Sequence, residues 1–143
     1  MAKNCFLNKY LPASNPGISH NYRNSNINNY LPAAKLLSNK GYFVLRMGKI
    51  VENKINTNDP KIIDYATNGY RSDLLDVYIS EKCRFFISGN AGFEGMPVIF
   101  RKPMVFVNDA PVHLVRGWYS NSLVIFKKHW LIEENRFMTF SEI

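Results

Sequence analysis

The sequence predicts an α/β fold, with a mostly parallel sheet covered by helices on both faces. Two observations carry that expectation. Apolar runs of about 4–6 residues alternate with helical patterns of about 8–12, the signature of βα units. One of those runs, Phe85-Phe86-Ile87, passes directly into the small, glycine-flanked segment Ser88-Gly89-Asn90-Ala91-Gly92 and then into a helical pattern. No internal repeat and no linker divides the chain.

Taken in order, residues 1–26 are polar and punctuated by Pro12, Pro16 and Gly17, so an irregular segment is expected there. Ile27, Tyr30, Leu31, Ala34 and Leu37 then follow a helical face. Pro32 requires either a short turn before a helix starting near Leu31 or a kink at that point. Gly41 is a stop signal. Tyr42 to Met47 reads as a buried strand ended by Gly48, residues 49–60 as a polar connection, and Ile62 to Tyr65 as a second strand. Ser72 is placed to cap a helix carrying Leu74, Leu75, Val77, Tyr78 and Ile79, with Asp73 favoured by the dipole of its first turn. Arg84 to Ile87, Met104 to Val107 and Ser122 to Phe126 complete the strands, with a helix from about Phe93 to Phe100 that Pro97 must enter early. The expected organisation is an irregular segment over 1–26, an α/β domain over 27–130 and a polar tail over 131–143.

Composition narrows the function classes. The 143 residues are 46% hydrophobic and 20% charged, enough for a core without metal or disulfide support and too apolar for a disordered chain. No apolar run approaches the ~20 residues of a membrane-spanning helix. Met1 to Tyr10 lacks the apolar centre of a signal peptide, which makes the cytoplasm the expected address. Eighteen basic residues against 11 acidic ones give +7, a charge that suits nucleic acid, a membrane surface or a phosphorylated ligand. The basic residues are scattered, with Arg101-Lys102 and Lys127-Lys128 the only doublets, so nucleic acid is not an expected partner. Cys5 and Cys83 make neither a disulfide framework nor a metal site, and Cys83, in an apolar setting, is expected to be a reduced core thiol.

Three segments carry candidate chemistry. In open α/β sheets, ligands bind beyond the carboxyl ends of the strands. Ser88 to Gly92 lies at such an end, where small residues let backbone N–H groups approach an anion and a following helix adds favourable charge. Ser88 and Asn90 are candidates for phosphate or ribose oxygens and Glu94 for a sugar or ribose hydroxyl. A tight strand-to-helix turn without ligand is the alternative, since neither a P-loop nor a full G-x-G-x-x-G is present. In His20-Asn21-Tyr22-Arg23-Asn24-Ser25, Arg23 is either a guanidinium fork for phosphate or a solvated residue of a capping loop. Arg46, at the end of a buried strand, either reaches the ligand crevice or bonds a carboxylate such as Asp64 or Asp76. His20, His113 and His129 are isolated, so no metal site is expected, and no G-x-S-x-G or Cys–His arrangement marks a covalent nucleophile.

The motifs H-N-Y-R-N-S-N-I-N-N-Y-L-P-A, G-Y-F-V-L-R-M-G, I-D-Y-A, R-S-D-L-L-D-V-Y and C-R-F-F-I-S-G-N-A-G-F occur in this order between His20 and Phe93. Together they resemble a family of bacterial glycosyltransferases associated with surface-polysaccharide or flagellin modification, and the likeness runs on to about Lys128. The resemblance implies a GT-B architecture of two Rossmann-like domains facing a cleft, with this chain matching the C-terminal, nucleotide-sugar-binding half. The segment S-G-N-A-G-F-E…K-P is similar to a D-S-G-G…E…G-K-P loop that binds diphosphate and contacts ribose through its glutamate. Carried over, Ser88, Gly89, Asn90, Ala91 and Gly92 cradle phosphate and Glu94 meets ribose. Ala91 stands where a serine is common, and Arg101 where a glycine is common. Arg23 and Arg46 are placed to offset the charge of the leaving diphosphate without metal.

The resemblance therefore implies a nucleotide-diphosphate sugar as donor, no cofactor or metal, and a glycan or protein acceptor held by a missing or separate N-terminal domain. It identifies no catalytic base. On that reading the chain is a fragment, a split subunit or a remnant. The alternatives are a non-catalytic nucleotide- or phosphate-binding module, or an interaction remnant that self-associates through an apolar face.

Overall fold

The computed structural model describes residues 25–142 except 52, 90, 91, 111, 113, 114 and 116. The expectations placed on residues 1–24, with Cys5, His20 and Arg23, and on Asn90, Ala91 and His113 lie outside the described residues. The chain is mixed α/β and divides into two compact units, one through Ile79 and one from Ser80. Among the described residues no helix is long and apolar enough to cross a membrane.

In the first unit, a 3-10 turn over Ile27–Tyr30 precedes helix α1, Leu31–Asn39. Asn26 caps the turn, its side chain accepting from the Asn28 N–H at 3.0 Å. Pro32 sits in the first turn of α1, where its missing N–H costs nothing. The helix closes on Gly41 at φ +91, with Gly41 N–H donating to Ser38 C=O and Tyr42 N–H to Leu37 C=O. This is a Schellman closure, and glycine meets its left-handed position without a Cβ penalty.

Strand β1, Val44–Leu45, pairs in parallel with β2, Ile62–Ile63, and α1 packs on both. The strand expected over Tyr42 to Met47 is thus much shorter. A strand is only as long as its partner allows, and β2 is bounded by the Asp59-Pro60 turn and by the turn beginning at Asp64. Tyr42 and Phe43 are left exposed. Ala34, Ile62 and Tyr65 form the buried apolar centre of this unit.

Helix α2, Asp73–Lys82, starts on the expected cap, since Ser72 Oγ accepts from the Leu75 N–H at 3.1 Å. The Tyr65 hydroxyl accepts from the Ser72 N–H at 3.2 Å and faces the Ser72 carbonyl at 3.4 Å, and burial pushes its phenol pKa up. The cap is therefore held by core packing as well as by sequence. The division between the units falls inside α2, between Ile79 and Ser80.

The second unit is built on a three-stranded parallel sheet of order β3-β4-β5: β3 is Phe86–Ser88, β4 Met104–Asp109 and β5 Ser122–Phe126. Between β3 and β4 lie a 3-10 turn, Gly92–Glu94, and helix α3, Gly95–Ile99. Met104, Phe106, Ala110 and Pro97 are buried in it, with Ser80. The region expected as a polar tail contains an antiparallel hairpin instead, β6 (Trp130–Leu131) against β7 (Arg136–Phe137). Asn135, at φ 51, supplies the left-handed turn residue. The Trp130 and Phe137 rings meet edge to face at 4.8 Å, and Phe140 meets Phe126 at 5.3 Å.

Candidate functional site

The parallel register aligns Phe86, Ile87 and Ser88 with Met104, Val105 and Phe106, and the same direction continues into β5. The carboxyl ends of all three strands therefore collect along one edge, the edge where such sheets bind ligands. Ser88 ends β3 at that edge. Its hydroxyl donates to Glu94 Oε2 at 2.7 Å, and the two residues are only 3% and 4% exposed. The Phe86 and Phe93 rings lie 5.9 Å apart.

Gly92 opens the 3-10 turn with an ordinary φ, and a Cβ built on it would meet nothing within 4 Å. Neither packing nor backbone conformation demands glycine there, and the position faces open space. The helix expected from Phe93 to Phe100 is replaced by the 3-10 turn and a five-residue α3. Its macrodipole is correspondingly small.

A residue missed in the sequence stands at the same edge. In β4 the buried positions alternate through Met104 and Phe106, and the register then shifts between Val107 and Asp109. Asn108 is the bulged residue, at φ 55, and the bulge turns Asp109 onto the buried face. Its carbonyl accepts from the Lys127 N–H at 3.0 Å. The available signal was the Asn-Asp pair at a strand end, because asparagine tolerates the left-handed conformation.

Arg46 belongs to the first unit and bonds a carboxylate. Its Nη1 lies 3.1 Å from Asp64 Oδ2 and also donates to the Asn53 carbonyl, while Oδ2 accepts from the Ile55 N–H at 2.8 Å. Of the two fates open to Arg46, the ion pair with Asp64 is the one found. Arg71 takes Asp76, the other carboxylate considered for Arg46, and also reaches Asp73 at 2.9 Å. The Arg71 guanidinium, with Lys49 beyond it, holds the exposed Asp73 carboxyl below its ordinary value.

Cys83 is half-buried and unbridged; its thiol donates to the Ser80 carbonyl at 3.3 Å, and burial pushes its pKa up. A cleft in the first unit is lined by Lys35, Asn39, Asn56, Thr57, Asn58 and Asp59. It lacks the apolar walls of an ordinary small-molecule site, and the Ser38 hydroxyl and Lys61 N–H hold the Asp59 carboxyl below its usual value. Among the described residues no three His, Cys, Asp or Glu side chains gather into a metal-binding group.

Of the residues singled out in the sequence, Ser88, Gly89, Gly92 and Glu94 come together at the carboxyl edge of the second unit, and Arg46 sits in the first unit with Asp64. No protein-family model, curated protein or solved structure matches the chain.

Proposed function

We propose that the chain is the donor-binding half of a GT-B glycosyltransferase, a Rossmann-like domain with helices on both faces of its sheet. It binds a nucleotide-diphosphate sugar for transfer to a glycan or protein acceptor held by a separate N-terminal domain. One observation carries the reading. Ser88 ends β3 at the carboxyl edge of a parallel β3–α3–β4 unit and bonds Glu94 there, and a Cβ built at Gly92 would meet nothing within 4 Å. Backbone N–H groups presented at such an edge suit a diphosphate, and +7 of net charge raises the local concentration of an anionic donor.

A second reading, a non-catalytic nucleotide- or phosphate-binding module, draws support from Arg46. With its guanidinium bonded to Asp64 and Asn53, that arginine is a structural group first. Stabilisation of a leaving diphosphate then falls to other residues.

Calorimetric titration with UDP-, GDP-, CDP- and ADP-sugars tests both readings. Saturable binding of one nucleotide class is expected. Binding accompanied by sugar transfer once an acceptor domain is supplied favours the enzyme, and binding without transfer favours the module. Silence from all four nucleotides sinks the donor site.

A further inference from the structure

We propose that β5 is a self-pairing edge. Two copies of the chain join antiparallel along Ser122–Phe126, across a two-fold axis at Val124, into one continuous sheet.

Strand β5 is the last of its sheet, and among the described residues no strand pairs with its outer side. Which main-chain groups lie on that side follows from the ladder. Met104 N–H donates to the Asn121 carbonyl and Lys127 N–H to the Asp109 carbonyl, and alternate residues of a strand turn both groups the same way. Residues 121, 123, 125 and 127 thus turn theirs to β4, whereas Ser122, Val124 and Phe126 turn theirs outward. Edge strands are ordinarily blunted by charge, proline or a bulge. Ser122–Phe126 carries no charge and no proline. The register shift falls on β4, between Val107 and Asp109, so β5 itself advances regularly. Leu123 and Ile125 add apolar side chains that are 69% and 59% exposed.

The partner is a second copy because this segment fits itself. Centred on Val124, an antiparallel register sets Val124 against Val124, and Ser122 against Phe126 of the second copy. Those pairs exchange both of their N–H···O bonds. Leu123 falls opposite Ile125 of the second copy, on the same face, in the non-hydrogen-bonded position where side chains come closest. Beyond the strand, Lys127 meets Asn121 and Lys128 meets Ser120, so no lysine of one copy opposes a lysine of the other. For a chain at +7, that separation of cations is what self-association needs. Each copy has one β5, so the assembly closes at two.

Sedimentation of the full chain tests the pairing. From micromolar to millimolar concentration the mass should shift reversibly from one chain to two, since a strand edge buries little area. Amide exchange at Val124 should slow on the order of tenfold as the dimer fills, because an outward N–H gains a carbonyl. Leu123→Lys with Ile125→Lys sets lysine against lysine and should weaken association on the order of tenfold. Leu123→Lys with Ile125→Glu sets lysine against glutamate in this register and should recover most of that loss. Both positions are exposed, which spares the core in either variant. A parent chain that stays single throughout, growth past two copies, Val124 exchange indifferent to concentration, or a Lys/Glu variant as weak as the Lys/Lys one overturns the pairing.

Discussion

Arg46 and Asp64 occupy the register position immediately after the last paired residues of β1 and β2, and the parallel ladder sets their charges side by side at 3.1 Å. Both side chains are largely shielded, at 7% and 14% exposure. Asp64→Ala strands a buried guanidinium and an Ile55 N–H, and should cost about 3 kcal/mol in urea unfolding. Arg46→Met combined with Asp64→Leu should cost clearly less than the two single changes added together, because neither charge is then left alone.

Gly92→Ala should raise stability by about 0.4–1 kcal/mol, since the native φ suits alanine and the unfolded chain loses freedom. If the nucleotide lies against this backbone, the same methyl weakens its binding. A melting scan and a titration of one variant should therefore move in opposite directions. A variant that is both more stable and equally competent in binding removes Gly92 from the site.

Arg101 repeats at the end of α3 the closure that Gly41 makes at the end of α1. Its N–H donates to the Val98 carbonyl and that of Lys102 to the Pro97 carbonyl, with Arg101 at φ 54. A side chain in this conformation is strained where glycine is not. Arg101→Gly should stabilise the chain by roughly 0.5–1 kcal/mol, after allowance for the extra freedom of glycine when unfolded. Thermal and urea midpoints read the gain.

Arg136 grips Glu142 with two nitrogens, at 2.7 and 2.9 Å, and Thr139 adds its own N–H and hydroxyl. The guanidinium first, then Thr139, holds the Glu142 carboxyl well below its ordinary value of 4.5. A carboxyl depressed on folding contributes stability above its unfolded value and loses it as pH falls through the folded one. Order at this end of the chain, followed by NMR at the Thr139 amide that Glu142 accepts from, should persist at neutral pH and fade progressively below about pH 4.5. The effect should also shrink in high salt, because the pair faces solvent.

Elements signalled by local chemistry were legible in the sequence. The turn before Leu31, the Ser72 cap and the span Ser122–Phe126 stand where proline, serine and a β-rich run put them. What was not legible depends on partners distant in sequence. β1 is cut short by the length of β2, and Asp109 faces inward because of a bulge against β5. The hairpin at Trp130 was hidden because each of its strands is two residues long, too short for a period to show. The inward turn of Glu94 belongs with these. Sequence gave its residue type and spacing, whereas its direction is a property of packing against Ser88.

Because the boundary between the units lies between Ile79 and Ser80, inside α2, the two halves share a covalent joint that is itself regular structure. Proteases cut where backbone can be drawn out into an extended form, and a hydrogen-bonded helix resists that. Limited digestion should therefore nick this chain elsewhere before it parts the units. A gene split at the boundary would leave each product with a severed helix end and four unpaired backbone groups to satisfy.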